Sequence, residues 1–204
     1  MRIDLASLAP KDRYKLLTGT VVPRPIGWIS TVDEEGRRNL APFSYFQIAS
    51  ATPPVLLFSA GSRDGAPKDS VSNALATGGF VAHVADVALL EAMNASSAEA
   101  PPEIDEFELA GLESAPSERV AAPRVAAAPV AFECELLHHY QVPDGGNTVV
   151  FGRVLLAHLR DDLMGEDGRI DLRALNPIAR LAGTVYGTLG ELMDVARPAW
   201  PPSE

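Results

Sequence analysis

The sequence predicts a mainly β protein, an antiparallel β-barrel with peripheral helices. Three observations carry that expectation. Many short apolar runs are bounded by turn residues, the helical stretches are brief, and no strand–helix alternation of the kind that builds a parallel sheet is present. The chain has 204 residues, of which 47% are apolar and 22% charged, a globular composition long enough for a sizeable core.

Taken in order, residues 4–17 read as a short helix capped by Asp4 or Ser7 and running through Tyr14-Lys15-Leu16-Leu17. Ile26, Trp28 and Ile29 mark a strand, Asp33-Glu34-Glu35-Gly36 a turn, and a second strand follows from Arg38. Phe43 to Ala49 and Val55 to Ser59 are two further strands, parted by Thr52-Pro53-Pro54. Asp69 is the expected cap of a helix of about two turns, with its side chain folded onto the amides of Val71 or Ser72 and Gly78-Gly79 as the stop. Phe80 to Val84 reads as a strand and Val87 to Met93 as a helix. Residues 95–128, rich in Ala, Pro, Glu and Ser, carry little periodicity and read as a surface excursion with short ordered pieces. The longest strands, Val130 to Val142 and Thr148 to Leu159, flank the hairpin signal Pro143-Asp144-Gly145-Gly146-Asn147. A turn at Gly165-Glu166-Asp167-Gly168 follows. The expected organisation is one domain over residues 1–195 and a Pro-rich tail over 196–204.

A net charge of −10 argues against nucleic acid, whose phosphates call for a basic face, but leaves room for an anionic cofactor held by a few local donors. No apolar run approaches the ~20 residues of a membrane span, and Met1-Arg2-Ile3-Asp4-Leu5 lacks a signal-peptide pattern, so the expected location is cytoplasmic. The single cysteine, Cys134, lies in a strand-like alternation and reads as a small buried residue. His138 and His139 are strand neighbours on opposite faces, no Cys/His spacing fits zinc, and no metal is expected.

Lys68-Asp69-Ser70 is the best phosphate candidate. The first amides of a helix are unpaired and the helix dipole favours an anion there, while Lys68 adds a charge and Ser70 a hydroxyl. A surface lysine before an ordinary capped helix explains the same residues. Arg24, between two prolines, is presented from a stiff extended segment, as suits a phosphate or ring carbonyl; a surface arginine at a strand entrance is the alternative. Asn39 and Ser44 flank Leu40-Ala41-Pro42-Phe43, where Pro42 marks an edge or bulge, and either plain loop structure or a ring-edge contact accounts for them.

Taken together, Pro23 to Thr31, Asn39 to Phe46, Pro53 to Ser59 and Lys68 to Asn73 resemble the flavin reductase-like family with the FMN-binding split-barrel fold. The family includes the reductase components of two-component flavin monooxygenases. The resemblance continues through 91–96, 105–112 and 147–154, and covers roughly residues 15 to 195. It implies a six-stranded antiparallel Greek-key barrel and a homodimer with FMN near the subunit interface. Lys68 and Ser70 would bind the FMN phosphate. Arg24, Thr31, Asn39, Phe43, Ser44 and Ser59 would line the flavin or ribityl site, with Asn94 and Tyr186 as outer contacts. The implied activity is hydride transfer from NAD(P)H to FMN, with a flavin-dependent oxygenase as a candidate partner. Many flavin reductases carry Gly-Asp-His-Thr where this chain has Gly145-Gly146-Asn147-Thr148. Asn147 therefore takes the catalytic position as a positioning group that hydrogen-bonds without gaining a charge. Two alternatives stay open: an FMN-binding electron carrier without a nicotinamide site, and an FMN enzyme acting on another substrate.

Overall fold

A computed structural model describes residues 1–200 of the chain. Seven strands form one antiparallel sheet: β1 Gly27–Val32, β2 Arg38–Phe43, β3 Phe46–Ala51, β4 Pro54–Ala60, β5 Gly79–Val84, β6 Val130–Gln141 and β7 Thr148–Leu159. Their spatial order is β2-β1-β5-β6-β7-β4-β3. The two ends of that order, β2 and β3, are joined by Ser44 and Tyr45 alone. The sheet therefore has to curl until its edges approach, which makes it a barrel. Near the seam the Ser59 N–H donates to the Tyr45 carbonyl at 2.8 Å. The mainly β antiparallel fold expected from the sequence is present, with seven strands where the resemblance implied six. Phe46–Ala51 pairs along β4 as a strand of its own, bulged between Ile48 and Ser50.

The long strands β6 and β7 bend at two register shifts, between Glu133 and Cys134 and between Leu136 and His138. The bend lets each serve two neighbours. β6 pairs with β5 over Val130–Glu135, and β7 pairs with β4 over Thr148–Arg153.

All six residues of β1 are buried, so both faces of the strand need cover. Ile29 points into the barrel with Phe43, Phe58, Phe80 and Val150; Trp28, on the opposite face, packs with Leu40, Met93, Phe107 and Val125. The outer cover comes from residues 95–128. That segment lies outside the barrel, but its Phe107, Ala122 and Val125 are at most 1% exposed. It is fastened by buried polar contacts. The Trp28 indole donates to Ser96 Oγ at 2.9 Å, the Leu40 N–H to Glu106 at 3.0 Å, and the Ser30 hydroxyl to Pro123 O. Glu133 accepts from the Glu118 and Arg119 amides and bonds His158 at 2.6 Å. Burial pushes the Glu133 pKa up, but these hydrogen bonds outweigh it and hold the carboxylate below its ordinary range.

His83 on β5 completes the fastening. Its Nε2 accepts the Val125 N–H at 3.0 Å, so the proton sits on Nδ1, which donates to Trp28 O at 2.8 Å. Burial pushes the imidazole pKa down to about 4. The unfolded ring takes its proton near pH 6.5, so between those values the unfolded chain binds more protons than the folded one. His83 thus contributes stability that is complete above about pH 6.5 and is lost as pH falls towards 4. Urea unfolding should show a loss of about 2 kcal/mol between pH 7.5 and pH 5 that is absent in His83→Gln. Identical midpoints at the two pH values would mean that His83 is not held neutral.

The helices differ in detail from the sequence expectation. Asp4 caps only a 3-10 turn, Leu5–Ser7, and α1 runs Pro10–Thr20, opening on a proline at its first turn. α2, Asp69–Thr77, packs Val71 and Ala74 into the barrel core and ends at Gly78, whose φ of 76° is the left-handed stop a glycine accommodates. Its N-cap is Lys68, and no side chain caps it, so Asp69 is the first helical residue and not the cap. The Lys68 carbonyl already accepts from the Val71 and Ser72 amides, which starts the helix one residue early. The Val87–Met93 stretch is a 3-10 turn, Val87–Leu89, followed by α3, Leu90–Ala95. Short helices α4, Glu106–Leu109, and α5, Leu172–Leu175, and a 3-10 turn, Asp161–Leu163, complete the set among the described residues. Residues 188–200 carry no helix or strand, and the last four positions of the expected tail lie outside the described residues.

Candidate functional site

The start of α2 is where polar groups converge. Lys68 is partly exposed there and Ser70 is buried beneath it. With no side-chain cap, the first amides of α2 have no intrahelical partner. Asn39 Nδ2 donates to Ser70 Oγ at 2.8 Å and to Thr31 Oγ1 at 3.2 Å, and Asn73 Nδ2 reaches the same Thr31 oxygen at 3.2 Å. Thr31, Asn39 and Ser70 are thus one buried network that fixes the helix start against β1 and β2. A polar pocket of about 170 Å³ opens above it, bordered by Phe43, Lys68, Ser70, Arg63 and the Ser96–Glu99 turn.

Acidic groups share this pocket: Asp69, Glu99 and Glu106. Burial raises the pKa of Glu106, and the Leu40 N–H bond opposes that rise.

A narrow groove bordered by Ile26, Pro42, Ser44, Ser97, Arg180 and Tyr186 shares Pro42 and Ser97 with the polar pocket and Ser44 with a second, larger space. That space is a mainly apolar cleft of about 600 Å³ between α1, β3 and β4, with Arg24, Ser44 and Ser59 on its wall beside Leu17, Tyr45 and Phe46. Asn147 approaches it from the β6–β7 turn and donates its amide to Ser59 Oγ at 3.1 Å. Arg24 is 8% exposed. Its donors go to the carbonyls of Thr18 at 2.6 Å, Val21 at 2.9 Å and Leu181 at 3.0 Å, and to Ser44 Oγ at 3.3 Å. It clamps the end of α1 to the C-terminal segment and so shapes the cleft wall.

Asn94 and Tyr186 stand together on the far side of the groove. The Tyr186 hydroxyl donates to Asn94 Oδ1 at 3.1 Å and accepts from Arg180 at 2.6 Å, while the Arg180 guanidinium lies 4.5 Å from the Tyr186 ring centre.

Nine of the ten binding candidates border one of these neighbouring spaces, Asn147 reaches Ser59 on the cleft wall, and Thr31 lies buried beneath the polar pocket, bonded to Asn39. Arg63, Ser97 and Arg180 join them there without having been marked in the sequence. For Arg63 a signal existed: Asp64-Gly65 is a tight-turn pair, with φ of 50° and 82°. It folds Ser62–Arg63 against Ala66–Pro67 and so sets Arg63 beside Lys68. Arg180 had no such signal, because its place depends on the pairing of Arg24 with Arg180 across 155 intervening positions. Cys134 is fully buried, and burial pushes its thiol up to about 12, consistent with a core residue.

Comparison with known proteins adds the following. A family described as "Flavin reductase like domain" matches residues 18–175. The uncharacterized protein YwrF of Bacillus subtilis is 39% identical over 197 residues, spanning 94% of this chain and 96% of YwrF. Nitrilotriacetate monooxygenase component B from Bacillus cereus superposes with a TM-score of 0.91 at 38% identity, covering 96% of this chain and 98% of that one. The 2-nitrobenzoate 2-nitroreductase NbaA of Pseudomonas fluorescens gives a TM-score of 0.89 at 28% identity, covering 100% and 99%.

Proposed function

The chain belongs to the flavin reductase-like family, and from that premise we propose that it binds FMN and passes to it a hydride from NAD(P)H. The observation that carries the reading is a neighbouring pair of spaces: a small polar pocket at an uncapped helix start and an apolar cleft, with a groove between them that shares lining residues with both. A phosphorylated ligand with a flat apolar ring has those two halves. The donor set fits the group. Lys68 supplies a cation, Ser70 a hydroxyl, and the α2 amides a partial positive charge, which together suit a phosphate monoester.

FMN, when bound, supplies the hydride-accepting ring. The chain's residues bind and orient. Asn39 and Thr31 hold Ser70 in place; Phe43, Ser44 and Ser59 border the route to the apolar cleft; Arg24 keeps the cleft wall rigid. Asn94 and Tyr186 form the outer lip. Asn147, tied to Ser59, positions the second reactant and transfers no proton. A flavin-dependent oxygenase as recipient of the reduced flavin fits the likeness to a monooxygenase component B. Because Asn147 stands where a chargeable histidine is common, a second reading remains: an FMN enzyme or electron carrier with another reaction partner.

We further propose a homodimer of a cytoplasmic protein. Tyr14, Leu17 and Val21 near α1, with Tyr45 and Ile48 around β3, are exposed apolar side chains beside the large cleft, and a two-fold contact is the commonest way to cover such a face. No helix among the described residues is long and apolar enough to cross a membrane.

The deciding experiment is titration with FMN and riboflavin, followed by aerobic oxidation of NADH and NADPH with FMN added. FMN should bind more tightly than riboflavin, and one of the nicotinamides should be consumed. Equal affinity for the two flavins would remove the phosphate site; FMN binding without nicotinamide oxidation would select the second reading. Light scattering at micromolar concentration should give twice the mass of one chain.

A further inference from the structure

We propose that the C-terminal arm, residues 188–200, crosses to a second copy of this chain and packs on the open outer face of that copy's β4, β6 and β7. The inference rests on the homodimer reading above. Its starting point is an apolar segment with nothing to pack against. Residues 188–200 carry no helix or strand and make no backbone hydrogen bond among the described residues. Yet Met193 and Val195 are each 83% exposed and Trp200 is 91% exposed. Segments that stay loose in water are poor in large apolar residues, whereas this one leaves Leu189, Leu192, Met193, Val195 and Trp200 in solvent.

The acceptor face is set by strand pairing. Leu56, Phe58 and Val150 point into the barrel, so Leu57, Val149 and Phe151 point out. On β6, His138 stands opposite Phe151 and Tyr140 opposite Val149; on β4, Leu57 stands opposite Phe151. These five side chains make one patch across three strands, aromatic and aliphatic, with no charged carboxylate among them. Residues 95–128 cover the outside of β1, but this patch is open. His138 and Tyr140 are exposed and the other three are only half-buried. Such a surface suits Leu, Met, Val and Trp side chains.

Position selects a second copy over the arm's own chain. The root of the arm is pinned at the cleft rim, where Leu181 O accepts from Arg24 and Tyr186–Gly187 pairs with Ala179–Arg180. Beyond it the arm leaves its own barrel, as the exposure of Met193, Val195 and Trp200 records. The same rim carries Leu17, Val21 and Tyr45 of the proposed two-fold contact, so an arm leaving it meets the partner directly. Fully extended, residues 188–200 reach roughly 43 Å, and three paired strands are only about 10 Å across, so the arm is long enough. Leu57 and Val149 also wall the apolar cleft, which places each arm beside the partner's cleft.

The test is acrylamide quenching of tryptophan fluorescence on the full chain, beside light scattering. Of the two tryptophans, Trp28 is 0% exposed, so quenching reads Trp200, and the Trp200→Phe chain gives the Trp28 background. In the wild-type dimer Trp200 should be quenched several-fold less steeply than free tryptophan. Phe151→Ser should restore steep quenching, and so should Tyr140→Ser, whose exposed position leaves the fold intact. Refolding Phe151→Ser chains together with Trp200→Phe chains separates the two routes. A mixed dimer joins Trp200 to an intact patch only across subunits, so part of the shielding should return. Freely quenched Trp200 in a wild-type dimer overturns this inference and leaves the homodimer reading standing. Shielding that survives both Phe151→Ser and Tyr140→Ser overturns the assigned face. Mixed chains that recover no shielding place the arm on its own barrel and overturn the crossing. A wild-type monomer overturns this inference and the homodimer together.

Discussion

Replacing Lys68 by alanine is expected to weaken FMN binding by about tenfold to a hundredfold while leaving riboflavin binding nearly unchanged. A charge-assisted contact is worth about 1.5–3 kcal/mol, and 1.4 kcal/mol is one decade of affinity. The selectivity follows from position. Lys68 is the N-cap of α2 and borders the polar pocket, on the far side of the groove from the apolar cleft proposed for the ring. The fold should be untouched, because the Lys68 side chain makes no hydrogen bond or ion pair among the described residues and its capping role runs through the backbone carbonyl, which alanine keeps. Isothermal titration with both flavins, and the rise in melting temperature each produces, give two independent readings. A parallel loss for both ligands would mean that Lys68 supports the ring or the fold. No loss for either would place the phosphate elsewhere.

Phe58→Ala should have the largest effect on stability, a loss of about 3–5 kcal/mol by the cost of emptying a fully buried aromatic site. Phe58 is 0% exposed and central to the barrel interior. Its ring lies 5.1 Å from that of Phe43, tilted, and 5.2 Å from that of Phe80, edge-on, so the loss includes two aromatic contacts as well as apolar burial. Against the 5–15 kcal/mol typical of a folded domain, roughly, this is a large share. Urea unfolding reads it directly. Phe58→Leu, which retains most of the volume, should lose much less. A cost for Phe58→Ala below about 1 kcal/mol would show that the barrel interior relaxes around the gap, contrary to a close-packed core. The two variants separate the roles: one changes affinity without stability, the other stability first.

Much of the fold was legible in the chain. Strands around Trp28, Leu40, Phe58, Phe80 and the Val130–Leu159 hairpin announce themselves by short apolar runs and turn residues, because pleat and turn chemistry act over a few residues. The stop of α2 at Gly78 was legible for the same reason, since a left-handed residue is a local demand. The start was not. Asp69 carries the chemistry of a cap, but the carbonyl of Lys68 closes the first turn before it, and which of two adjacent residues begins a helix depends on how the preceding Ala66–Pro67 strand delivers the chain. The cover over β1 was also hidden. Residues 95–128 have little period of their own, and Phe107 and Val125 find their place only against Trp28 and Leu40.

The sequence by itself determined most of the strands, their antiparallel character, the family resemblance and, through it, that Thr31, Asn39, Lys68 and Ser70 were residues to suspect. Only the tertiary structure decided that Thr31, Asn39 and Ser70 are one hydrogen-bonded unit, that Arg24 spends its donors on backbone carbonyls, and that Arg63, Ser97 and Arg180 border the same neighbouring spaces. The reason is closure. Local signals specify segments of a few residues, whereas the neighbouring pocket, groove and cleft exist only once β2 and β3, tied by Ser44-Tyr45, draw the two edges of the sheet together and bring side chains distant in sequence within hydrogen-bond reach.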